Sequence, residues 1–285
     1  MKRPTMLLNA ALLTISALAG GTVPATATPA PAQAADAALQ TDPVVRDDLR
    51  ALFDQAGVRG TFALMDVRTG RTTVVDRARA ERRLIPASTF KIPHALVALE
   101  SGAVKDENEV IPYGGRPQRF PEWEKDMNLG DAIRASNVPV FQTITRRIGL
   151  KREQQWLNRL GYGNREVGAV VDTFWLEGPL EISAVEQTRF LSRLARQKLP
   201  ASKKNQQLVR DMLKIEEKDG YALYAKTGWA FDVKPSIGWW VGWVERDHRL
   251  YTFALNIDVN ADSDTSKRVP LARDLLKRLN VLPAS

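Results

Sequence analysis

The chain of 285 residues has no cysteine and two histidines, and these scarcities narrow its chemistry before any motif is read. Without cysteine there is no thiol nucleophile, no thiolate metal ligand and no disulfide, so a folded chain of this size rests on its hydrophobic core. His94 follows Ser88 by six positions, which sets it about 120° around a helix from the serine, and it reads as a plain helix residue. His248 sits in a turn with Arg246 and Asp247. A Ser-His-Asp triad therefore lacks a placed base. No metal-ligand spacing and no glycine-rich phosphate loop occurs, so neither a metal nor a nucleotide cofactor is expected. The formal charge is +8, but the basic residues are scattered among acids and form no block. Such a balance speaks to solubility, and no nucleic-acid partner is expected.

Long apolar runs are scarce too. The run Met6 to Ala19 is shorter than the roughly 20 residues a spanning helix needs, and no later segment is apolar for that long. Preceded by Lys2 and Arg3 and followed by small residues and prolines, it has the layout of a secretory signal. Two small-x-small sites follow, Ala25-Thr26-Ala27 and Ala32-Gln33-Ala34, and the second lies closer to the first ordered-looking segment. The expected division is a signal peptide over 1–34 and one domain over 35–285, periplasmic or secreted, without a stable membrane span.

What is present is a change of hydrophobic period along the chain. Val44, Val45, Leu49, Leu52 and Phe53 recur at helical spacing and predict a helix from Val44 to Gln55. Thr61 to Val67 and Thr72 to Val75 read as a hairpin through the polar turn Arg68-Thr69-Gly70-Arg71. The segment Ser88 to Glu100 reads as a buried helix, with Pro93 in its first turns where a proline costs least. Further helices are expected over Leu129 to Ala135, Pro139 to Ile148, Glu153 to Leu160, and from the capping box Ser183-Ala184-Val185-Glu186 to about Gln197. The last third turns to strands, Tyr221 to Lys226, Ile237 to Val244 and Leu250 to Ile257, before a closing helix from Leu271 to Leu279. The predicted fold is α+β, an α/β sandwich. A central antiparallel sheet is built from N- and C-terminal strands and flanked by helices, with a helical lobe from the middle of the chain.

Ser88-Thr89-Phe90-Lys91 puts a hydroxyl and an amine at i and i+3, where they can touch. A serine hydroxyl is a poor nucleophile until a base takes its proton, and a lysine becomes that base when burial disfavours its charged form. The neighbours Phe90, Ile92 and Leu96 are apolar, as such burial requires. Ser136-Asn137-Val138 offers a second hydroxyl just before a helix, and Lys226-Thr227-Gly228, at a strand end, offers a cation and a hydroxyl for a substrate carboxylate. Taken in order, the three elements match the penicillin-recognising serine enzymes.

From about Leu49 to Ile257 the sequence resembles the class D (OXA-type) β-lactamases. The matching blocks are Pro86-Ala87-Ser88-Thr89-Phe90-Lys91-Ile92-Pro93, Ser136-Asn137-Val138-Pro139-Val140-Phe141-Gln142, Tyr162-Gly163-Asn164, the run Phe174 to Ser183, Lys226-Thr227-Gly228, and Gly238-Trp239-Trp240-Val241-Gly242-Trp243. The resemblance implies that residues 35–285 form a β-lactamase catalytic domain of the serine β-lactamase and penicillin-binding transpeptidase type. It implies hydrolysis of small-molecule β-lactams with Ser88 as nucleophile. It implies no cofactor other than an N-carboxylate on Lys91, formed from carbon dioxide, as general base, with the Trp175 indole as its hydrogen-bond donor. Ser136 would relay the proton to the leaving nitrogen, and Val138 and Phe141 would wall the modified lysine. Lys226 and Thr227 would hold the substrate carboxylate beside Gly228, and the backbone N–H groups of Ser88 and Trp229 would form the oxyanion hole.

One position departs from the family pattern. Many relatives carry an arginine two residues beyond the proline of the final segment, where here Leu271 and Ala272 follow Pro270; Arg268 and Arg273 are the nearest substitutes. The competing functions are a penicillin-binding sensor domain and a D,D-peptidase, which acylate without turning β-lactams over. Substrate range rests on loops such as Trp229 to Pro235, and the oligomeric state, monomer or dimer, stays open.

Overall fold

A computed structural model describes residues 42–284 apart from Asp219; the expected signal peptide and both cleavage sites lie outside the described residues. Seven strands form one sheet: β1 (Val44–Val45), β2 (Gly60–Asp66), β3 (Thr72–Val75), β4 (Lys214–Lys218), β5 (Tyr221–Ala230), β6 (Ser236–Arg246) and β7 (Arg249–Val259). Their spatial order is β1-β3-β2-β7-β6-β5-β4, antiparallel throughout except for the parallel β1–β3 pair. The first strands of the chain thus pair with the last, as the sandwich requires.

The helices are α1 (Arg50–Ala56), α2 (Arg77–Glu81), α3 (Lys91–Glu100), α4 (Leu129–Arg134), α5 (Val138–Ile148), α6 (Leu150–Leu160), α7 (Ala184–Ala195), α8 (Lys203–Leu213) and α9 (Arg268–Arg278). Val44 and Val45 are not the start of a helix. They pair with Thr73 and Val74 at the sheet edge, and α1 begins after the short turn Asp47–Leu49. β-branched side chains fit a pleated ladder better than a helix surface, and here the ladder wins over the apolar spacing. Three elements escape the sequence pattern. β4 is an edge strand of mostly exposed charged residues, α2 has five residues, and α8 buries Val209, Met212 and Leu213 on an otherwise polar helix capped by Ser202.

Strand alternation sorts the core into two layers. Phe62 and Leu64 of β2, Phe253, Leu255 and Ile257 of β7, and Trp240 and Val244 of β6 face one side, where Phe53 of α1 and Leu271, Leu275 and Leu276 of α9 cover them. Ala63, Trp239, Val241, Trp243 and Tyr224 face the other side, against the helical lobe and α7. On β5 the even positions point to the lobe, so Lys226 and Gly228 share the face of Tyr224. That parity delivers the Lys-Thr-Gly segment to the site. The segment lies inside β5, whose pairing with β6 continues to Ala230, rather than at the strand end expected from sequence. Glycine does not stop the strand here. A Cβ at Gly228 would stand 3.0 Å from Thr89 Cγ2 and 3.1 Å from the Pro86 carbonyl oxygen, so its lack of side chain lets the Ser88 turn approach the sheet.

Tyr162-Gly163-Asn164 fastens the segment that carries Trp175. Asn164 Nδ2 donates to the Pro179 carbonyl at 2.7 Å, and its Oδ1 accepts from the Glu181 N–H at 3.1 Å. Gly163 has φ +53°, and a Cβ there would run into the Glu181 carbonyl oxygen. Gly163→Ala is expected to cost at least about 2 kcal/mol, from left-handed strain plus that clash. A thermal melt would show this as a Tm lower by roughly 4–8 °C for a domain of this size, whereas an unchanged Tm would contradict the account.

Candidate active site

Ser88 lies on a 3-10 turn, Ala87–Phe90, that runs into α3 at Lys91, one turn tighter than the continuous helix expected. The turn begins at Ala87 with φ +48°, a conformation that costs a non-glycine residue about 1–3 kcal/mol. It is held from outside: the Ala87 N–H donates to the Trp175 carbonyl at 2.9 Å, and Leu84 bridges to Ile182. Thr89 donates its hydroxyl to the Pro86 carbonyl at 2.7 Å and accepts from Gln187 Nε2 at 2.9 Å.

Lys91 Nζ and Ser88 Oγ are hydrogen-bonded at 2.9 Å, and the lysine is fully buried. Burial, and secondarily the positive charge of Lys226, push the Lys91 amine well below the ordinary lysine range. An uncharged amine has a lone pair, so it can take the serine proton. Its walls are apolar: Nζ stands 5.3 Å from the centroid of the Phe141 ring, and Phe90 packs 5.8 Å from Trp175. The indole Nε1 of Trp175 is buried and donates to nothing among the described residues, an arrangement that costs free energy unless an acceptor is supplied.

Ser136 has φ +56° and precedes Asn137, whose side chain caps α5 by accepting from the Val140 N–H at 3.0 Å. Lys226 Nζ donates to Ser136 Oγ at 2.9 Å, joining the second serine to β5 across ninety residues of chain. Burial, and then the nearby Arg268, lower the Lys226 amine to about 7. Arg268 is itself lowered to about 10 by burial, and its guanidinium donates to the Gly228 carbonyl at 2.6 Å.

A cleft of about 220 Å³ opens over these groups. Ser88, Glu122, Ser136, Val138, Thr227, Gly228, Trp229 and Arg268 line it, together with an apolar wall of Phe120, Trp123, Leu176 and Phe231. Of the residues singled out in the sequence, Lys91, Phe141 and Trp175 are fully buried and do not line the opening; Lys226 reaches the group through Ser136. The arginine left open by the sequence is decided by placement: Arg268 faces the cleft, while Arg273 pairs with Glu216 and stacks near Trp240 on the other face of the sheet. Among the described residues no group of His, Cys, Asp or Glu is arranged to hold a metal ion.

The chain resembles known proteins along most of its length. The family described as "Penicillin binding protein transpeptidase domain" matches residues 60–277. The chain is 42% identical over 227 residues to Beta-lactamase OXA-5 of Pseudomonas aeruginosa, covering 79% of this chain and 85% of that one. It is 40% identical over 205 residues to Beta-lactamase OXA-48 of Klebsiella pneumoniae, covering 72% and 77%. The crystal structure of FUS-1 (OXA-85), a class D β-lactamase from Fusobacterium nucleatum subsp. polymorphum, superposes with a TM-score of 0.80 at 40% identity, covering 83% of this chain and 99% of that one. The chain belongs to the class D β-lactamases. These are hydrolases that open the β-lactam ring, and the sensor and peptidase alternatives are not favoured.

Two parts of this β-lactamase site escaped the sequence. Phe120 and Trp123 come from a segment without clear periodicity, and their aromatic character was the available signal. His94, read as a plain helix residue, is fully buried against Glu153 and three aromatic rings.

Because Lys226 is lowered in the fold to about 7 and stands near 10.4 when unfolded, the unfolded chain binds more protons between those values. Stability therefore rises with pH across that window. Lys91 contributes in the same direction. Tm of the wild type is expected to climb between about pH 7 and pH 10, and Lys226→Met is expected to flatten that climb. A Tm profile falling over this range in the wild type, or equally steep in the variant, would contradict the assignment.

Proposed function

We propose that this class D β-lactamase acylates Ser88 and turns the acyl-enzyme over with a base built on Lys91. The observation that carries the proposal is a fully buried amine, 2.9 Å from a serine hydroxyl, beside a buried indole N–H without an acceptor. Those residues fit a carboxylated lysine. The lone pair of the uncharged amine can form the N–C bond to carbon dioxide with release of one proton, and the Trp175 indole is the donor that the resulting anion needs in an apolar pocket. Such a group, when present, supplies a general base for the serine hydroxyl.

The chain's own residues account for the rest. Ser88, held by a strained and doubly anchored turn, presents its hydroxyl to the cleft and attacks the lactam carbonyl. The backbone N–H groups of Ser88 and Trp229 are the candidate oxyanion donors, one of which is typically worth about a hundredfold to a thousandfold in rate. Ser136, bonded to Lys226, hands a proton to the departing lactam nitrogen. An amine with its pKa near neutrality can release and regain that proton. Lys226, Thr227 and Arg268 offer two basic groups and a hydroxyl to the substrate carboxylate, with Gly228 permitting close approach. Val138 and Phe141 keep the lysine dry. Phe120, Trp123, Leu176 and Phe231 give the acyl substituent an apolar surface.

The N-terminal Lys2-Arg3, the apolar run and Ala32-Gln33-Ala34 support a signal peptide over 1–34, with export of the domain over 35–285 to the periplasm or medium.

Turnover of a chromogenic penicillin tests the Lys91 base. Enzyme stripped of carbon dioxide is expected to be slow and to be restored by bicarbonate. Lys91→Ala is expected to lose at least about a hundredfold at any bicarbonate concentration, the usual minimum for a general base. A single stoichiometric burst without further turnover, or full activity in Lys91→Ala, would overturn it.

A further inference from the structure

One turn beyond Lys91 on α3, a buried acid–base pair sits against the lysine pocket and takes no part in the steps above. His94 and Glu153 are both fully buried, with Nε2 and Oε1 2.9 Å apart. The Thr145 hydroxyl lies 3.2 Å from the same Nε2. Thr145 spends its own proton on the Phe141 carbonyl at 2.7 Å, which leaves its oxygen free to accept from the imidazole. Thr145 belongs to α5 and Glu153 to α6, so one imidazole ties three helices together.

The ring's flat faces and edges meet the aromatic groups around Lys91. Its centroid is 5.1 Å from Phe90, 5.4 Å from Phe141 and 5.4 Å from Trp175. The Phe141 ring lies 5.3 Å from the Lys91 amine, and Trp175 carries the unpartnered indole. Stability alone does not explain a charged or polar pair at this place, because replacing such a pair by apolar side chains of similar volume is often neutral or stabilising. What the pair adds is direction. An apolar side chain could fill the space in several rotamers, whereas an imidazole bonded to Thr145 and faced on the same nitrogen by the Glu153 carboxylate at 2.9 Å has one orientation.

We propose that His94, oriented by Glu153 and Thr145, is a positioning residue that locks Phe141 and Trp175 around the Lys91 amine and so sets how tightly carbon dioxide is held there. The proposal rests on the reading of Lys91 as a carboxylated base. His94 touches neither substrate nor the reacting atoms in it; the effect passes through the two aromatic side chains.

The test is a titration of the intact domain with 13C-bicarbonate, following the carbamate carbon by 13C NMR, with Tm measured alongside. The double variant His94→Leu/Glu153→Met is expected to melt no lower than the wild type. It should nonetheless need about tenfold more bicarbonate for half its carbamate signal, the low end of what losing a supporting partner costs a bound metal. Glu153→Gln, which keeps an acceptor opposite Nε2, should shift in the same direction by less. Half-saturation equal to wild type in the double variant overturns the proposal, and if that variant does not fold, an unshifted Glu153→Gln does so. Failure of both to fold also overturns it, since the pair would then serve the fold and not the lysine. A wild type without any carbamate signal removes the Lys91 base itself, which is a separate outcome from a wild-type signal that the variants leave unchanged.

Discussion

An amine enclosed by aromatic side chains with no carboxylate beside it gives up its charge, because the lost hydration is not replaced by any partner. Buried lysines shift by as much as about 3–5 pKa units for this reason. Lys91 is such a group: fully buried, apolar on its Phe141 side, with its charged state further opposed by Lys226. The cation that would ordinarily be an inert surface charge becomes a base within hydrogen-bond distance of Ser88. Most other features of the molecule keep that amine dry or bring a second serine and a second lysine to it.

The sheet and the helical lobe divide this work. Long pairing between β5 and β6 fixes the parity that turns Lys226 and Gly228 toward the lobe, and the bare Gly228 lets the Ser88 turn settle against the sheet. The lobe supplies Ser136 at a left-handed residue before α5, Phe141 on that helix, and Trp175 on a segment clamped by Asn164. Arg268 and the near-neutral amine of Lys226 stand at a cleft that also holds both serines and Glu122. Such a cleft favours an anionic ligand placed with its reactive carbonyl near Ser88.

Much of this could be read from residue order. The β-rich run Ile237 to Val244, the capping box at Ser183 and the i, i+3 spacing of Ser88 and Lys91 are local signals, and each survives folding because the local preference and the tertiary contact coincide. The misses have tertiary causes. Val44 and Val45 carry helical spacing but find a ladder partner in β3, and the charged β4 has no apolar face to announce it. Arg268 and Arg273 are five positions apart on one helix, and only the packing of α9 on the sheet decides that Arg268 reaches the cleft while Arg273 meets Glu216. His94 looks like an ordinary helix residue until α5 and α6 bring Thr145 and Glu153 to it.

The central claim is the charge state of one amine, and 15N NMR of lysine-labelled protein in bicarbonate-free buffer measures it directly, with the Lys91 Nζ resonance assigned by its absence from Lys91→Ala. The account predicts a neutral amine at neutral pH, titrating well below the ordinary lysine value of about 10.4. A Lys91 resonance that stays charged until the ordinary range would contradict it.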